Sequence, residues 1–208
     1  MRVLICAGGT GGGIYPALAA ATELQKAGLS STDILWIGTK GEMEESLVPQ
    51  AGLRLETISG GAVAGVPLSL KVKNGAHLAA SVPKALRLVR QFRPDVMFMT
   101  GGYMAAPVTV ACRVLGVPIS IYLPDVEPGA SVRFSLRFAR KIGATTEGTA
   151  QYVPQEKLVV TGYPVRPELR AATQLSKEEA LAQFALTPGR RTLFVLVAAG
   201  VRRKSTRP

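Results

Sequence analysis

The chain has 208 residues, of which 47% are hydrophobic and 19% are charged. This composition is too apolar for a disordered chain, and the length suits one complete domain better than two. Lys and Arg outnumber Asp and Glu by 25 to 14. The resulting net charge of +11 is compatible with nucleic acid, an anionic membrane or a phosphorylated substrate as a partner.

Targeting signals and cysteines add two expectations. No stretch reaches the roughly 18 uncharged apolar residues of a membrane-spanning helix, and the segment before Gly8 is too short for the core of a signal peptide. Cys6 and Cys112 lie in apolar runs, which is typical of reduced core cysteines. We therefore expect a cytoplasmic protein without disulfide bonds.

Short apolar runs alternate with amphipathic segments over the first 160 residues or so, which predicts an α/β fold. The expected architecture is a Rossmann-like parallel sheet with helices on both faces. The predicted strands are 3–7, 34–37, 53–58, 96–99, 119–122, 142–145 and 158–160. The predicted helices are 14–26, 43–48 (ended by Pro49), a segment around 78–89 with Pro83 at its start or at a kink, 107–115 and 130–140.

The pattern changes after the last of these strands. Residues 164–191 hold prolines, polar residues and one short helix with Ser176 as its cap, which predicts a linker after a first domain of residues 1–163. Residues 193–197 predict one more buried strand, and a lone strand cannot form a domain because its edges need partners. We therefore expect residues 192–208 to be the truncated start of a second domain.

The most informative segment joins the first strand to the first helix and reads Gly8-Gly9-Thr10-Gly11-Gly12-Gly13. Its glycines let the backbone approach a ligand closely, and the following helix N-terminus favours a diphosphate or carboxylate. The loop is neither a Walker A motif nor a G-x-G-x-x-G dinucleotide fingerprint, so ATP and NAD are disfavoured. A tight turn without a ligand is the simpler alternative.

Three motifs in register resemble those of a known family. They are this glycine-rich loop, Thr100-Gly101-Gly102-Tyr103 with Pro107 after it, and Tyr163-Pro164-Val165-Arg166. They are similar to the motifs of the MurG-like N-acetylglucosaminyltransferases of glycosyltransferase family 28. The resemblance implies the N-terminal half of a GT-B fold and an inverting transfer of GlcNAc from UDP-GlcNAc to lipid I in peptidoglycan synthesis. It implies no cofactor and no metal, and a peripheral location on the inner face of the cell membrane.

The resemblance also implies which residues form the site. Arg166 would reach toward the donor diphosphate, which suits an always-charged bidentate donor. We predict that Tyr103 and, as a substitute where the chain departs from the family, Asp125 are catalytic. Substrate-binding residues would be Thr10, Gly11, Gly12, Gly13, Gly101, Gly102 and Arg166.

The chain departs from the family at positions that matter for catalysis. Gly13 stands at the family's His, Leu123 at its Glu, and Tyr163 at its Asn. An inverting transferase needs a base for the acceptor hydroxyl, and Asp125 is our candidate, with a simple turn residue as the alternative. We expect these residues alone to be inactive unless a separate chain supplies the donor-binding domain. The alternative function is non-catalytic binding of a lipid diphosphate or a membrane.

A basic segment runs between Glu56 and Asp95, where no acid occurs. Its bases are Lys71, Lys73, Lys84, Arg87, Arg90 and Arg93. Four apolar residues are predicted to lie in a loop beside them: Val63, Val66, Leu68 and Leu70. This combination favours an anionic membrane surface, with an ordinary solvated helix face as the alternative. Nucleic acid is disfavoured because aromatic residues make up 6% of the chain and do not cluster.

Overall fold

Seven parallel strands form one sheet, in the order β3-β2-β1-β4-β5-β6-β7, in a computed structural model that describes residues 1–60, 68–193 and 195. The strands are β1 (Val3–Cys6), β2 (Ile34–Thr39), β3 (Arg54–Ile58), β4 (Val96–Met99), β5 (Ile119–Leu123), β6 (Ala139–Ala144) and β7 (Leu158–Val160). From β1 the chain adds β2 and β3 toward one edge of the sheet, and from β4 it adds β5, β6 and β7 toward the other edge. The carboxyl ends of β1 and β4 therefore flank a switch point, where α/β sheets bind ligands.

Helices supply the crossovers that parallel strands require. Those connecting the strands are α1 (Gly11–Lys26), α2 (Glu44–Gln50), α3 (Leu68–Phe92), α4 (Ala105–Val114) and α5 (Ala130–Leu136). Short 3-10 turns lie at Ser31–Asp33, Glu147–Gln151 and Gln155–Lys157. Two further helices, α6 (Pro167–Ala172) and α7 (Lys177–Gln183), follow the sheet.

The central strands are buried on both faces, as their uninterrupted apolar runs require. In β1, Val3 and Ile5 pack in a cluster with α1 and α2, whereas Leu4 and Cys6 pack in a second cluster with α3, α4 and α5. Trp36 of β2 is fully buried, and its indole N–H donates to the Ala7 carbonyl at 2.8 Å. This bond fixes the carboxyl end of β1 immediately before the glycine-rich loop.

The predicted α/β class and all seven predicted strands within the sheet are confirmed, but several boundaries are wrong. The first helix begins at Gly11 rather than at residue 14, because Thr10 keeps an extended backbone and its carbonyl accepts from the N–H groups of Gly13 and Ile14, both at 3.1 Å. The second helix runs one residue past Pro49 instead of ending before it.

The helix predicted over 130–140 ends at Leu136, and the chain from Ala139 onward belongs to β6. The register against β5 shifts so that Ile119 pairs with Ala139 and Ser120 with Lys141, which leaves an extra residue in β6. Such a bulge exposes two successive bases that resemble the polar face of a helix in the sequence.

Two other predictions concern the basic segment and the end of the chain. Leu68 and Leu70 lie in α3 rather than in a loop, whereas Val63 and Val66 lie outside the described residues. The strand predicted over 193–197 also falls largely outside them.

The chain divides into two compact units, Met1–Arg166 and Pro167–Pro208. The first holds the whole sheet. In the second, Ser176 caps α7 as predicted: its hydroxyl accepts from the Glu179 N–H at 3.2 Å, and the Glu179 carboxylate accepts from the Ser176 N–H at 2.8 Å. This contact lowers the pKa of Glu179.

Candidate functional site

A cavity of about 470 Å³ opens at the carboxyl ends of β1, β4 and β5. The loops after these strands and the first turn of α5 line it, so it lies at the switch point of the sheet. Most of the predicted site residues line this cavity: Thr10, Gly12, Gly13, Gly101, Gly102, Tyr103 and Asp125. Gly11 and Arg166 do not line it: Gly11 is the first residue of α1, and Arg166 contacts Tyr15 of the same helix.

The two glycine-rich loops contact each other directly. Gly102 has a φ of +99°, and a Cβ there would lie 2.9 Å from the Gly8 backbone nitrogen. The Thr100 hydroxyl donates to the Gly13 carbonyl at 2.7 Å, and the Thr100 N–H donates to the Cys6 carbonyl at 3.3 Å. The loops therefore form one continuous wall, and any side chain at position 102 would separate them.

The glycine-rich loop presents the N-terminus of α1 to this wall. The first N–H groups of a helix have no acceptor within the helix, and the Thr10 side chain does not cap them. The N–H groups of Gly11 and Gly12 are in this first turn, where the helix dipole adds partial positive charge. This arrangement suits an anionic group such as a phosphate.

Glu44, the first residue of α2, supports the loop from behind and was not predicted as a site residue. Its side chain is fully buried, and its carboxylate accepts from the Gly9 N–H at 3.2 Å and the Thr39 N–H at 2.7 Å. Gly8 and Gly38 lie against the same side chain, and a Cβ at Gly38 would be 2.5 Å from the Glu44 Cγ. In the sequence Glu44 resembles an ordinary acid in the first turn of a helix, so no local signal identifies it.

Arg166 lies against Tyr15 of α1. Its guanidinium carbon is 4.3 Å from the centroid of the Tyr15 ring. The edge of that ring is 3.1 Å from where a Gly11 Cβ would be. Gly11, Tyr15 and Arg166 thus form a cluster next to the N-terminus of α1, and the sequence did not indicate the role of Tyr15.

Asp125 lies after β5 at the mouth of the cavity and is exposed. Tyr163 is 45% exposed; its pKa is raised, chiefly by partial burial and also by the Asp125 charge, while Arg166 opposes the rise. Leu123, at the family's Glu position, is only 2% exposed and packs in the core. A Cβ at Gly13 would make only ordinary contacts, 3.5 Å from the Thr100 Oγ1, so this position has room for a side chain.

Two other kinds of feature are absent from residues 1–60, 68–193 and 195. There, no cluster of three or more His, Cys, Asp or Glu side chains could hold a metal ion. None of the helices in that part is both long and apolar enough to cross a bilayer.

The sequence matches a model of the glycosyltransferase family 28 N-terminal domain over residues 3–144. A UDP-N-acetylglucosamine--N-acetylmuramyl-(pentapeptide) pyrophosphoryl-undecaprenol N-acetylglucosamine transferase of Symbiobacterium thermophilum is 36% identical over 201 residues, which is 96% of this chain and 53% of the relative. The same enzyme of Desulfitobacterium hafniense is 37% identical over 199 residues, 94% of this chain and 52% of the relative.

A solved structure is similar as well. The crystal structure of Acinetobacter baumannii MurG superposes with a TM-score of 0.67 at 27% identity, covering 85% of this chain and 50% of that one. The chain therefore spans about half the length of the relatives it matches.

Proposed function

The chain belongs to glycosyltransferase family 28, and we propose that it supplies the acceptor-side half of a hexosyltransferase. The reaction is transfer of GlcNAc from UDP-GlcNAc to lipid I, the pyrophosphoryl-undecaprenol substrate that the relatives' names contain. Neither a cofactor nor a metal takes part in the proposed reaction.

The observation that carries this proposal is the wall made by the two glycine-rich loops. It combines close backbone approach at Gly102 with the free N–H groups of Gly11 and Gly12 beside a 470 Å³ cavity. A diphosphate linking a lipid to a sugar needs such an array of N–H donors, and the cavity has room for the sugar next to it.

Asp125 is the proposed general base. In the inverting step the acceptor hydroxyl attacks the anomeric carbon of GlcNAc, its proton passes to the Asp125 carboxylate, and UDP leaves with the bonding electron pair. Support comes from the surrounding residues: Glu127, the other nearby acid, is paired with Arg133, and Leu123 is buried. Tyr103 lies against Gly9 at the cavity and is proposed to orient the acceptor.

Arg166 is proposed to bind the diphosphate that is held at the N-terminus of α1 and, during transfer, to stabilise the charge on the departing diphosphate. A guanidinium is charged at every working pH and can donate two parallel hydrogen bonds to phosphate oxygens. Its location beside the first turn of α1 supports this role, because donors there act on developing negative charge without reorganising.

A membrane-docking role is also proposed, at the inner face of the cell membrane. A groove of about 580 Å³ between α3 and α4 is lined by Leu86, Val114 and Leu115 together with Arg87 and Arg90. Val114 is 67% exposed and Leu115 beside it is 39% exposed. Apolar side chains beside exposed arginines suit the interface of an anionic bilayer.

A non-catalytic role is the second candidate. Gly13 and Leu123 replace the imidazole and carboxylate expected from the family, which favours binding of a lipid diphosphate without turnover. Transfer by the first candidate is proposed to use a donor-binding domain outside these 208 residues.

Two assays on the 208-residue chain test the proposal. By calorimetry, a short-chain, water-soluble analogue of lipid I should bind, whereas UDP-GlcNAc alone should bind at least tenfold more weakly. Labelled GlcNAc should not pass from UDP-GlcNAc to lipid I. Tighter binding of the nucleotide sugar than of the acceptor analogue would overturn the assignment to the acceptor side, and transfer by this chain alone would overturn its expected inactivity.

A further inference from the structure

We propose that Tyr15 is a positioning residue that holds the Arg166 guanidinium against the anion-binding turn of α1. This inference rests on the proposed function, because it concerns how Arg166 meets a diphosphate. The juxtaposition that carries it is the cluster of Gly11, Tyr15 and Arg166.

Two contacts define the position of the Tyr15 ring, one at its face and one at its edge. One side faces the Arg166 guanidinium, whose central carbon is 4.3 Å from the ring centroid, well within the range of a cation–π interaction. The edge of the ring lies 3.1 Å from where a Gly11 Cβ would be, so the absence of a side chain at Gly11 lets the ring lie close to the first turn.

The two partners differ in how firmly their backbones are held. Tyr15 is in α1 between Ile14 and Pro16, both of which are buried, so its ring stands on a fixed support. Arg166 follows β7 in a segment, residues 161–166, that is neither helix nor strand. A long arginine side chain on such a segment loses rotamer entropy when it is ordered. Stacking on Tyr15 would order Arg166 before the ligand arrives.

Stacking also sets which part of the guanidinium is free. A guanidinium that lies flat on an aromatic ring keeps its N–H donors free along its edge, in the plane. These donors therefore remain available to phosphate oxygens bound at the N-terminus of α1. The Tyr15 hydroxyl takes no part, so a phenylalanine should replace the tyrosine without loss.

The test is calorimetric titration of the whole chain with inorganic diphosphate and with a short-chain prenyl diphosphate. Tyr15→Leu should weaken binding three- to tenfold, Arg166→Met at least tenfold, and Tyr15→Phe less than twofold. In the double variant Tyr15→Leu/Arg166→Met, the loss should equal that of Arg166→Met alone within twofold, since Tyr15 acts only through Arg166. Tyr152→Leu, at a partly exposed tyrosine outside the cluster, is the matched control and should bind normally.

A second measurement needs no variant at position 15. The NMR signal of the Arg166 Nε–H should be shifted upfield by the ring and should move when diphosphate is added. An unshifted signal, normal binding by Tyr15→Leu, or additive losses in the double variant would overturn the inference and leave the proposed function intact. Absence of binding by the unmodified chain would overturn both.

Discussion

Glu44 joins the glycine-rich loop to the end of β2 through its two carboxylate oxygens, which accept from the N–H groups of Gly9 and Thr39. Because the side chain is fully buried, it cannot move aside without breaking these bonds. Gly38→Ala would place a methyl group 2.5 Å from the Glu44 Cγ, which is not the mobile end of the side chain. Overpacking of this kind typically lowers the free energy of unfolding by about 1–3 kcal/mol. For Gly38→Ala we therefore predict a free energy of unfolding lower by about 2 kcal/mol and a Tm lower by roughly 4–8 °C.

Gly75→Ala is the matched control for that substitution. Gly75 lies in α3, and none of the described atoms is within 4 Å of the added methyl group. Alanine is the better helix former, so the free energy of unfolding should rise by about 0.5–1 kcal/mol. Equal stability of the two variants in thermal or urea unfolding would contradict the account of Glu44.

The two thiols should be inert in the folded chain. Burial raises the pKa of the Cys6 thiol and raises that of Cys112 to about 12 from an ordinary value of 9.0. Neither residue therefore forms the reactive thiolate near pH 8. We predict that a disulfide reagent at pH 8 labels no cysteine of the native chain within minutes and labels both in 6 M guanidinium chloride. Rapid labelling of the native chain would contradict the burial.

The same shifts predict a dependence of stability on pH. Between pH 9 and 12 the unfolded chain releases its thiol protons while the native chain keeps them, so the native state binds more protons than the unfolded one. The contribution of the two protonated thiols to the free energy of unfolding is complete below pH 9 and declines as the pH rises. Replacement of both cysteines by alanine should reduce the slope of the free energy of unfolding against pH between pH 9 and 12. An unchanged slope would contradict its assignment to the buried thiols.

At the scale of elements, α3 and α4 carry the membrane prediction. Each base near an anionic surface contributes about 1 kcal/mol, so Arg87→Glu with Arg90→Glu should lower binding to vesicles that contain 30% anionic lipid at least tenfold. The control pair, Lys26→Glu with Lys177→Glu, changes the net charge equally at exposed residues outside the groove. If both double variants lost vesicle binding equally, the loss would be explained by net charge alone, which would contradict docking through the groove.

The elements also show what the sequence could predict. The central strands are continuous apolar runs, which is why the sequence predicted them, whereas the order of the strands and the switch point are known only from the structure. The start of α1 at Gly11 depends instead on the Thr10 carbonyl, and the bulge in β6 depends on its pairing with β5. Neither the start of α1 nor the bulge in β6 is marked by a local pattern in the sequence.

For the site, motif recognition found the residues that line the cavity but not those that support them. Glu44 and Tyr15 lie against glycines whose partners are known only after folding. The stacking of Arg166 on Tyr15 joins residues at opposite ends of the first unit. No spacing rule could have predicted it, because a cation–π contact leaves no periodic pattern in the sequence.

At the scale of the whole molecule, the net charge of +11 is not a uniform property. Six bases and no acids follow residue 189, and the remaining 19 bases and 14 acids give +5 over the rest of the chain. Part of that remainder is concentrated in α3, beside the groove. The charge therefore supports a local membrane-facing surface better than a general affinity for nucleic acid.

The central claim is that the two glycine-rich loops bind the diphosphate of a lipid-linked acceptor. The most direct measurement is a ¹⁵N–¹H NMR titration of the 208-residue chain with a short-chain, water-soluble lipid I analogue. The amide signals of Gly11, Gly12 and Gly102 should shift in proportion to occupancy, while those of Gly28 and Gly116, in turns outside the cavity, should not. Binding that leaves the three loop amides unshifted, or no binding at millimolar analogue, would contradict the account.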